Sequence, residues 1–194
     1  MGKIAANVIL SLDGVMQAPG RPDEDTRGGF SRGGWAVPYF DPVMAGDAAA
    51  GMAEMPDLLF GRRTYEDFYS VWPKRTNNPF TEVLNQSRKY VASRTLEEPL
   101  PWPNSTLLRG DAAATVAALK EQSPKDLLVL GSGMLLQSLL KRGLVDELRL
   151  SIHPLILGSG KRLFHDGGPY VLLTLVESKT TTTGVIMATY RPTS

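Results

Sequence analysis

Cysteine is absent from this chain of 194 residues. That removes disulfide frameworks, thiolate zinc sites and cysteine nucleophiles together. Histidine is scarce, with only His153 and His165. A zinc site without cysteine needs both of them plus a carboxylate such as Asp166, and their spacing fits no short metal motif, so no metal is expected. The same scarcity weakens a Ser-His-Asp triad. Neither Gly-Ser-Gly stretch, at 131–133 or 158–160, has the glycine spacing of a nucleophile elbow. An excess of charge is missing as well: 21 Lys and Arg stand against 20 Asp and Glu, for a net charge of +1. Nothing electrostatic therefore points to nucleic acid or an anionic membrane surface as a partner. No apolar run reaches the roughly 18 residues of a membrane helix. The N-terminal stretch is too short for a signal peptide, and a cytoplasmic location is expected by elimination. The Asn104-Ser105-Thr106 sequon reads as chance.

What is present is globular: 42% hydrophobic and 21% charged residues, values that suit one domain over 1–194. Residues 3–10 (KIAANVIL) are short, apolar and rich in branched side chains, which predicts a buried strand. Residues 18–34 form a polar, glycine-rich loop longer than compact domains usually carry, of the kind used as a lid or left disordered. Asp41-Pro42 opens a helix with a cap and a pre-set first position. Its stripe of Met44, Ala48, Met52 and Met55 reads as core. Strand 57–60 (DLLF) runs into a helix over 62–70. Asn77-Asn78-Pro79 reads as a loop or turn. Strands follow at 89–93 and 105–109, separated by a proline-rich connector. Asp111 caps a third helix. Strand 126–130 (DLLVL) leads through Gly131-Ser132-Gly133 into a fourth, which Gly143 ends. Residues 147–153 (ELRLSIH) alternate, which places His153 on a strand surface. Segments 170–179 and 185–191 make an antiparallel hairpin. Eight strands and four helices in this order predict a three-layer α/β fold whose sheet is mostly parallel with an antiparallel C-terminal end.

Two strand-to-helix corners carry the chemistry. At Phe60-Gly61-Arg62-Arg63-Thr64 a buried strand ends at a glycine and a helix starts. Free N–H groups and a positive dipole end face outward there, with guanidinium and hydroxyl donors suited to phosphate. At Leu130-Gly131-Ser132-Gly133-Met134 two glycines stand at the carboxyl end of a central strand, where open α/β sheets bind ligands. The ordinary dinucleotide fingerprint fails, because the third glycine position is Leu136 and the later acid position is Ser151. Ser93-Arg94-Thr95 ends a third strand. Corners on separate strands match the two ends of a dinucleotide.

FGRRTYE at 60–66, SRT at 93–95 and VLGSGMLLQSLL at 129–140 resemble the cofactor-binding segments of dihydrofolate reductases. Residues 3–14 ending SLDG, and HPLILGSGKRLF at 153–164, are similar to the reductase domain of bacterial riboflavin biosynthesis. The chain as a whole resembles stand-alone members of the dihydrofolate reductase-like superfamily. The resemblance implies NADPH as hydride donor, held by Gly61, Arg62, Arg63, Thr64, Ser93, Arg94, Gly131, Ser132, Gly133 and Met134, with Arg62 and Arg94 on the 2′-phosphate. It implies a pterin or 5-amino-6-(5-phosphoribosylamino)uracil type of substrate, and a homodimer. Asp47 and Asp13 are the candidate proton carriers, and Trp35, with Asp47, the candidate substrate contact. Asp13 and Gly14 start the loop over the nicotinamide. The rival is a non-catalytic NADPH-binding or ligand-sensing protein on the same fold.

Overall fold

A computed structural model describes residues 2–193. Eight strands form one sheet: β1 (Ile4–Ser11), β2 (Asp57–Gly61), β3 (Lys89–Ser93), β4 (Ser105–Arg109), β5 (Leu127–Leu130), β6 (Glu147–His153), β7 (Leu173–Thr180) and β8 (Ile186–Pro192). Their order is β4-β3-β2-β5-β1-β6-β8-β7. Neighbours from β4 to β6 run parallel, and β8 pairs antiparallel with both β6 and β7. β5 returns to the middle of the sheet between β2 and β1, so the carboxyl ends of β2, β5 and β1 stand side by side. That is the position where open α/β sheets take their ligands.

The sheet separates two cores. On one face Ile4, Ala6, Val8 and Leu10 of β1 pack with Leu127 and Val129 of β5. They meet Leu135, Leu136, Leu139 and Leu140 of α5 (Gly133–Lys141) and Val116 of α4 (Ala112–Gln122). On the other face Leu58, Phe60, Val91 and Leu128 meet Tyr65 of α2 (Arg62–Val71), Leu84 of α3 (Pro79–Gln86), Met52 of α1 (Pro42–Ala53) and Trp102. Each fully buried leucine or phenylalanine of these layers contributes about 1.5–3 kcal/mol.

Three expectations change. The described residues form five α-helices, not four. α3 follows the segment read as a turn: Asn78 accepts from Phe80 N–H and Pro79 takes the first helical position. The residues that end one element here begin another. At the far end of α3, buried Lys89 donates to the carbonyls of Leu84 (2.7 Å), Ser87 (2.7 Å) and Asn85 (3.3 Å). Burial pushes its pKa down to about 8. The methionine stripe of α1 is not core: Met52 alone is buried, and Met44 and Ala48 line an open cleft. His153 is fully buried, with Trp35 and Tyr39 edge-on to its ring at 5.4 and 5.5 Å.

The 18–34 loop is ordered by a core of its own, in which Val15, Ala18, Phe30, Trp35, Ala36 and Leu157 cluster. The Gln17 amide donates to the carbonyls of Asp25 and Arg27 at 3.0 and 2.9 Å. Arg21 bonds Asp67 of α2 at 2.5 Å. These contacts fold the loop as a compact flap against the cleft.

Candidate functional site

A cleft of about 2450 Å³ opens over the carboxyl ends of the central strands and beneath α1. Single-ligand sites usually run from about 300 to 1,000 Å³, so there is room for a dinucleotide and a second molecule together. Both predicted corners border it, as do Ser93, Arg94 and Asp47.

The two corners are joined. Gly61 N–H donates to Ser132 Oγ at 3.0 Å. Ser132 itself lies in the left-handed region, at φ 50 and ψ 46. That conformation costs a residue with a side chain about 1–2 kcal/mol and concentrates at functional sites. Gly131 before it has φ 58, which glycine adopts freely. A Cβ on Gly133 would meet Met16 Sδ at 2.3 Å, so glycine lets Met16 of the flap lie against the corner.

Helix capping sets this region apart. α1, α3 and α4 are each capped by a side chain, from Asp41, Asn78 and Asp111. α2 and α5 have no side-chain cap, because Gly61 has none to offer and Ser132 turns its hydroxyl to Gly61. The first N–H groups of α2 and α5 are thus left for an outside acceptor, the arrangement that binds phosphate. Arg63 and Arg94 are exposed and make no ion pair among the described residues, and Arg62 reaches Glu66 only at 3.8 Å. Ser93 Oγ accepts from the N–H groups of Thr95 (3.1 Å) and Leu96 (3.0 Å), and so shapes the turn that presents Arg94. Met134 is 75% exposed at the start of α5.

The proposed acids fare differently. Asp13 does not border the cleft. Its carboxylate accepts from Ser11 Oγ (2.7 Å), from the N–H groups of Leu157 (3.1 Å) and Gly158 (3.0 Å), and from Arg162 (3.1 Å). Partial burial works to raise its pKa, but these donors together outweigh it and hold the group well below the usual carboxylate range. Asp13 is a clamp between the end of β1 and the 155–162 segment, with no proton to give at neutral pH. Asp47 borders the cleft from α1 and bonds Lys179 of β7. Trp35 does not stack on the cleft either: it is buried in the flap core and donates from Nε1 to the Gln17 carbonyl at 2.7 Å. Phe40, 65% exposed, borders the opening, as do Phe68, Trp72 and Phe80.

Some cleft residues were not singled out from the sequence. Asn7 of β1, Glu147 and Arg149 of β6, Lys179 of β7 and Arg191 of β8 share the sheet face beneath α1. Asn7 Oδ1 is buried without a hydrogen-bond partner. His153 Nδ1 lies 3.1 Å from the Ser151 carbonyl, a contact that requires the proton on Nδ1, and Nε2 has no partner. Burial lowers the His153 pKa, with the Ser151 carbonyl opposing it, so the ring is neutral near pH 7.

The profile of the RibD C-terminal domain family matches residues 2–187. The chain belongs to that family. Uncharacterized protein YyaP of Bacillus subtilis is 33% identical to this RibD C-terminal domain over 143 residues, spanning 71% of this chain and 74% of its own. A putative riboflavin biosynthesis protein of Shewanella sp. PV-4 superposes with a TM-score of 0.75 at 22% identity, covering 99% of both chains. A pyrimidine reductase-like protein of Corynebacterium diphtheriae gives 0.67 at 15% identity, over 100% of this chain and 92% of that one. RibD of Acinetobacter baumannii gives 0.66 at 16%, with this chain spanning 58% of its length. At these identities the structures speak for the fold, which is dihydrofolate reductase-like. Family and fold together support a reductase of the type found in riboflavin biosynthesis.

Proposed function

We propose that this RibD C-terminal domain is an NADPH-dependent reductase. Its substrate is a small heterocycle of the pterin or 5-amino-6-(5-phosphoribosylamino)uracil type. The observation that carries this reading is the pair of uncapped helix N-termini, α2 and α5, tied by the Gly61–Ser132 hydrogen bond beside the unpaired Arg63 and Arg94. Such a cradle suits the phosphates of a dinucleotide, and the left-handed corner at Gly131 and Ser132 keeps side chains out of their path.

Bound NADPH supplies a hydride; the protein supplies the rest. The N–H groups of α2 and α5 take phosphate oxygens, and Arg62 and Arg94 take the 2′-phosphate. Phe40 and the cleft-facing side of α1, with Met44 and Ala48, keep water from the reacting atoms. Of the two candidate acids only Asp47 borders the cleft, so it is the proton carrier, with Lys179 as its partner. The exposed Leu173, Leu175 and Ile186 on the β7–β8 edge support the proposed homodimer, which sedimentation at several concentrations tests.

The decisive experiment follows NADPH oxidation with pterin and ribosylaminouracil substrates beside NADPH binding measured by fluorescence. Turnover with either substrate class is the expected result. Tight binding with no turnover on either establishes the rival, a non-catalytic NADPH-binding protein. The ion pairing of both candidate carboxylates is the observation on its side. No binding removes both readings, since a cofactor at 100 times its Kd adds about 2.7 kcal/mol of stability that a thermal shift would register.

A further inference from the structure

The charges of the cleft are spread unevenly. On the sheet face beneath α1, Arg149, Arg191 and Lys179 line the cleft. Glu147 takes both guanidiniums. Its Oε1 accepts from Arg149 Nε at 2.7 Å, with Arg149 Nη2 in ion-pair contact at 2.6 Å, and its Oε2 accepts from Arg191 at 3.2 and 3.0 Å. Partial burial works to raise the Glu147 pKa, but the two arginines outweigh it and hold the group ionised. Asp47 takes the Lys179 ammonium, and Glu177 on the same face has no cationic partner among the described residues. Three cations therefore stand against three carboxylates. The rim repeats the pattern: Arg27 and Lys161 share Asp25, Arg162 bonds Asp13, and Arg21 bonds Asp67.

The buried polar atoms that this half of the cleft leaves unpartnered are uncharged. Asn7 Oδ1 and His153 Nε2 are the buried polar atoms there without a hydrogen bond. His153 is fully buried. A phosphate or carboxylate arriving at this floor would face Glu147, Asp47 and Glu177. It would also have to draw the arginines from a carboxylate that already holds Arg149 through one charge-assisted hydrogen bond and Arg191 through two. An uncharged ring with hydrogen-bonding edges meets none of that opposition.

We infer that the substrate is an uncharged heterocycle, bearing neither phosphate nor a carboxylate tail where it meets the Glu147–Arg149–Arg191 floor. This rests on the reductase reading and narrows it.

Matched probes test the inference. One pair is 5-amino-6-ribosylaminouracil and its 5′-phosphate; the other is 6-methyl-7,8-dihydropterin and dihydrofolate. Both binding to the NADPH complex and NADPH oxidation are measured. The expected result is that the uncharged member of each pair binds, or turns over, about tenfold better or more. A preference of that size for the charged members overturns the inference, and so does equal binding within both pairs. Ribose 5-phosphate adds an arm that needs no turnover. Glu147→Gln frees the arginine pair and is expected to bind this probe about tenfold tighter than the unaltered protein. If the unaltered protein binds it as well as the variant, the pairing excludes nothing and the inference fails. Failure of the reductase reading looks different, because NADPH itself then does not bind.

Discussion

The two halves of the cleft treat polar groups in opposite ways. At the α2 and α5 corners, donors are left open: helix ends go uncapped, and Arg63 and Arg94 point at no carboxylate. On the sheet face beneath α1, Arg149, Arg191 and Lys179 are already matched through Glu147 and Asp47, and on the rim Arg27, Lys161 and Arg162 through Asp25 and Asp13. Elsewhere the same chain caps its helices carefully, so the open corners are not a general looseness of the fold. An open donor set costs little while water reaches it and becomes binding energy when an anion displaces that water. A matched set is inert toward anions and selects by shape and hydrogen bonding instead. The contrast teaches that one cleft can demand charge at one end and refuse it at the other.

Four changes break or sharpen this contrast, in descending order of effect. Asp13→Asn removes the charge behind the clamp that holds Leu157, Gly158 and Arg162. It is expected to lower stability by about 2–3 kcal/mol, read as a drop in Tm, with NADPH affinity retained. A selective loss of cofactor binding would instead move Asp13 into the site. Asp47→Asn is expected to lower kcat about 100-fold. Tm should barely move, because its pair with Lys179 is exposed on both sides and worth at most about 1 kcal/mol. Unchanged kcat would take the proton carrier away from α1. Arg94→Ala is expected to weaken NADPH about 10- to 30-fold while leaving NADH nearly untouched, the loss due to one charge-assisted contact. An equal loss for both cofactors would erase the 2′-phosphate assignment.

The smallest effect is a pH slope. His153 is neutral when folded, with its pKa below the ordinary 6.5 because of burial. The unfolded chain therefore binds more protons at mildly acid pH. The stability tied to His153 is complete above about pH 6.5 and is lost as pH falls from there toward the folded value, at up to about 1.4 kcal/mol per unit. Subtracting the Tm profile of His153→Gln from that of the unaltered protein isolates the slope. A flat difference would mean that the ring is solvated.

How much the sequence disclosed follows the same division. The two glycine corners are local: strand end, glycine and helix start adjoin in the chain, so their open donors read directly from FGRRT and LGSGM. The central strands show as continuous apolar runs because both their faces are covered. The floor is not local. Asn7, Glu147, Lys179 and Arg191 meet only through the register of four strands, and no spacing along the chain announces that meeting. Alternation placed His153 on one face of β6, yet which face the 35–39 segment would cover is a tertiary fact. The α1 stripe misled for a related reason: periodicity marks an apolar side of a helix but not whether the partner surface closes on it or stands back to leave a cleft.

The single hydrogen bond between Gly61 and Ser132 has a mechanical meaning. It joins two crossover units that the pairing of β2 with β5 and the packing of Leu59 on α5 also hold together, so the two corners form a yoke of one span. On the proposed reading, a ligand shorter or longer than the cofactor by one phosphate is expected to bind more weakly, because neither corner can slide along it to compensate. The yoke would then measure its guest before any chemistry begins.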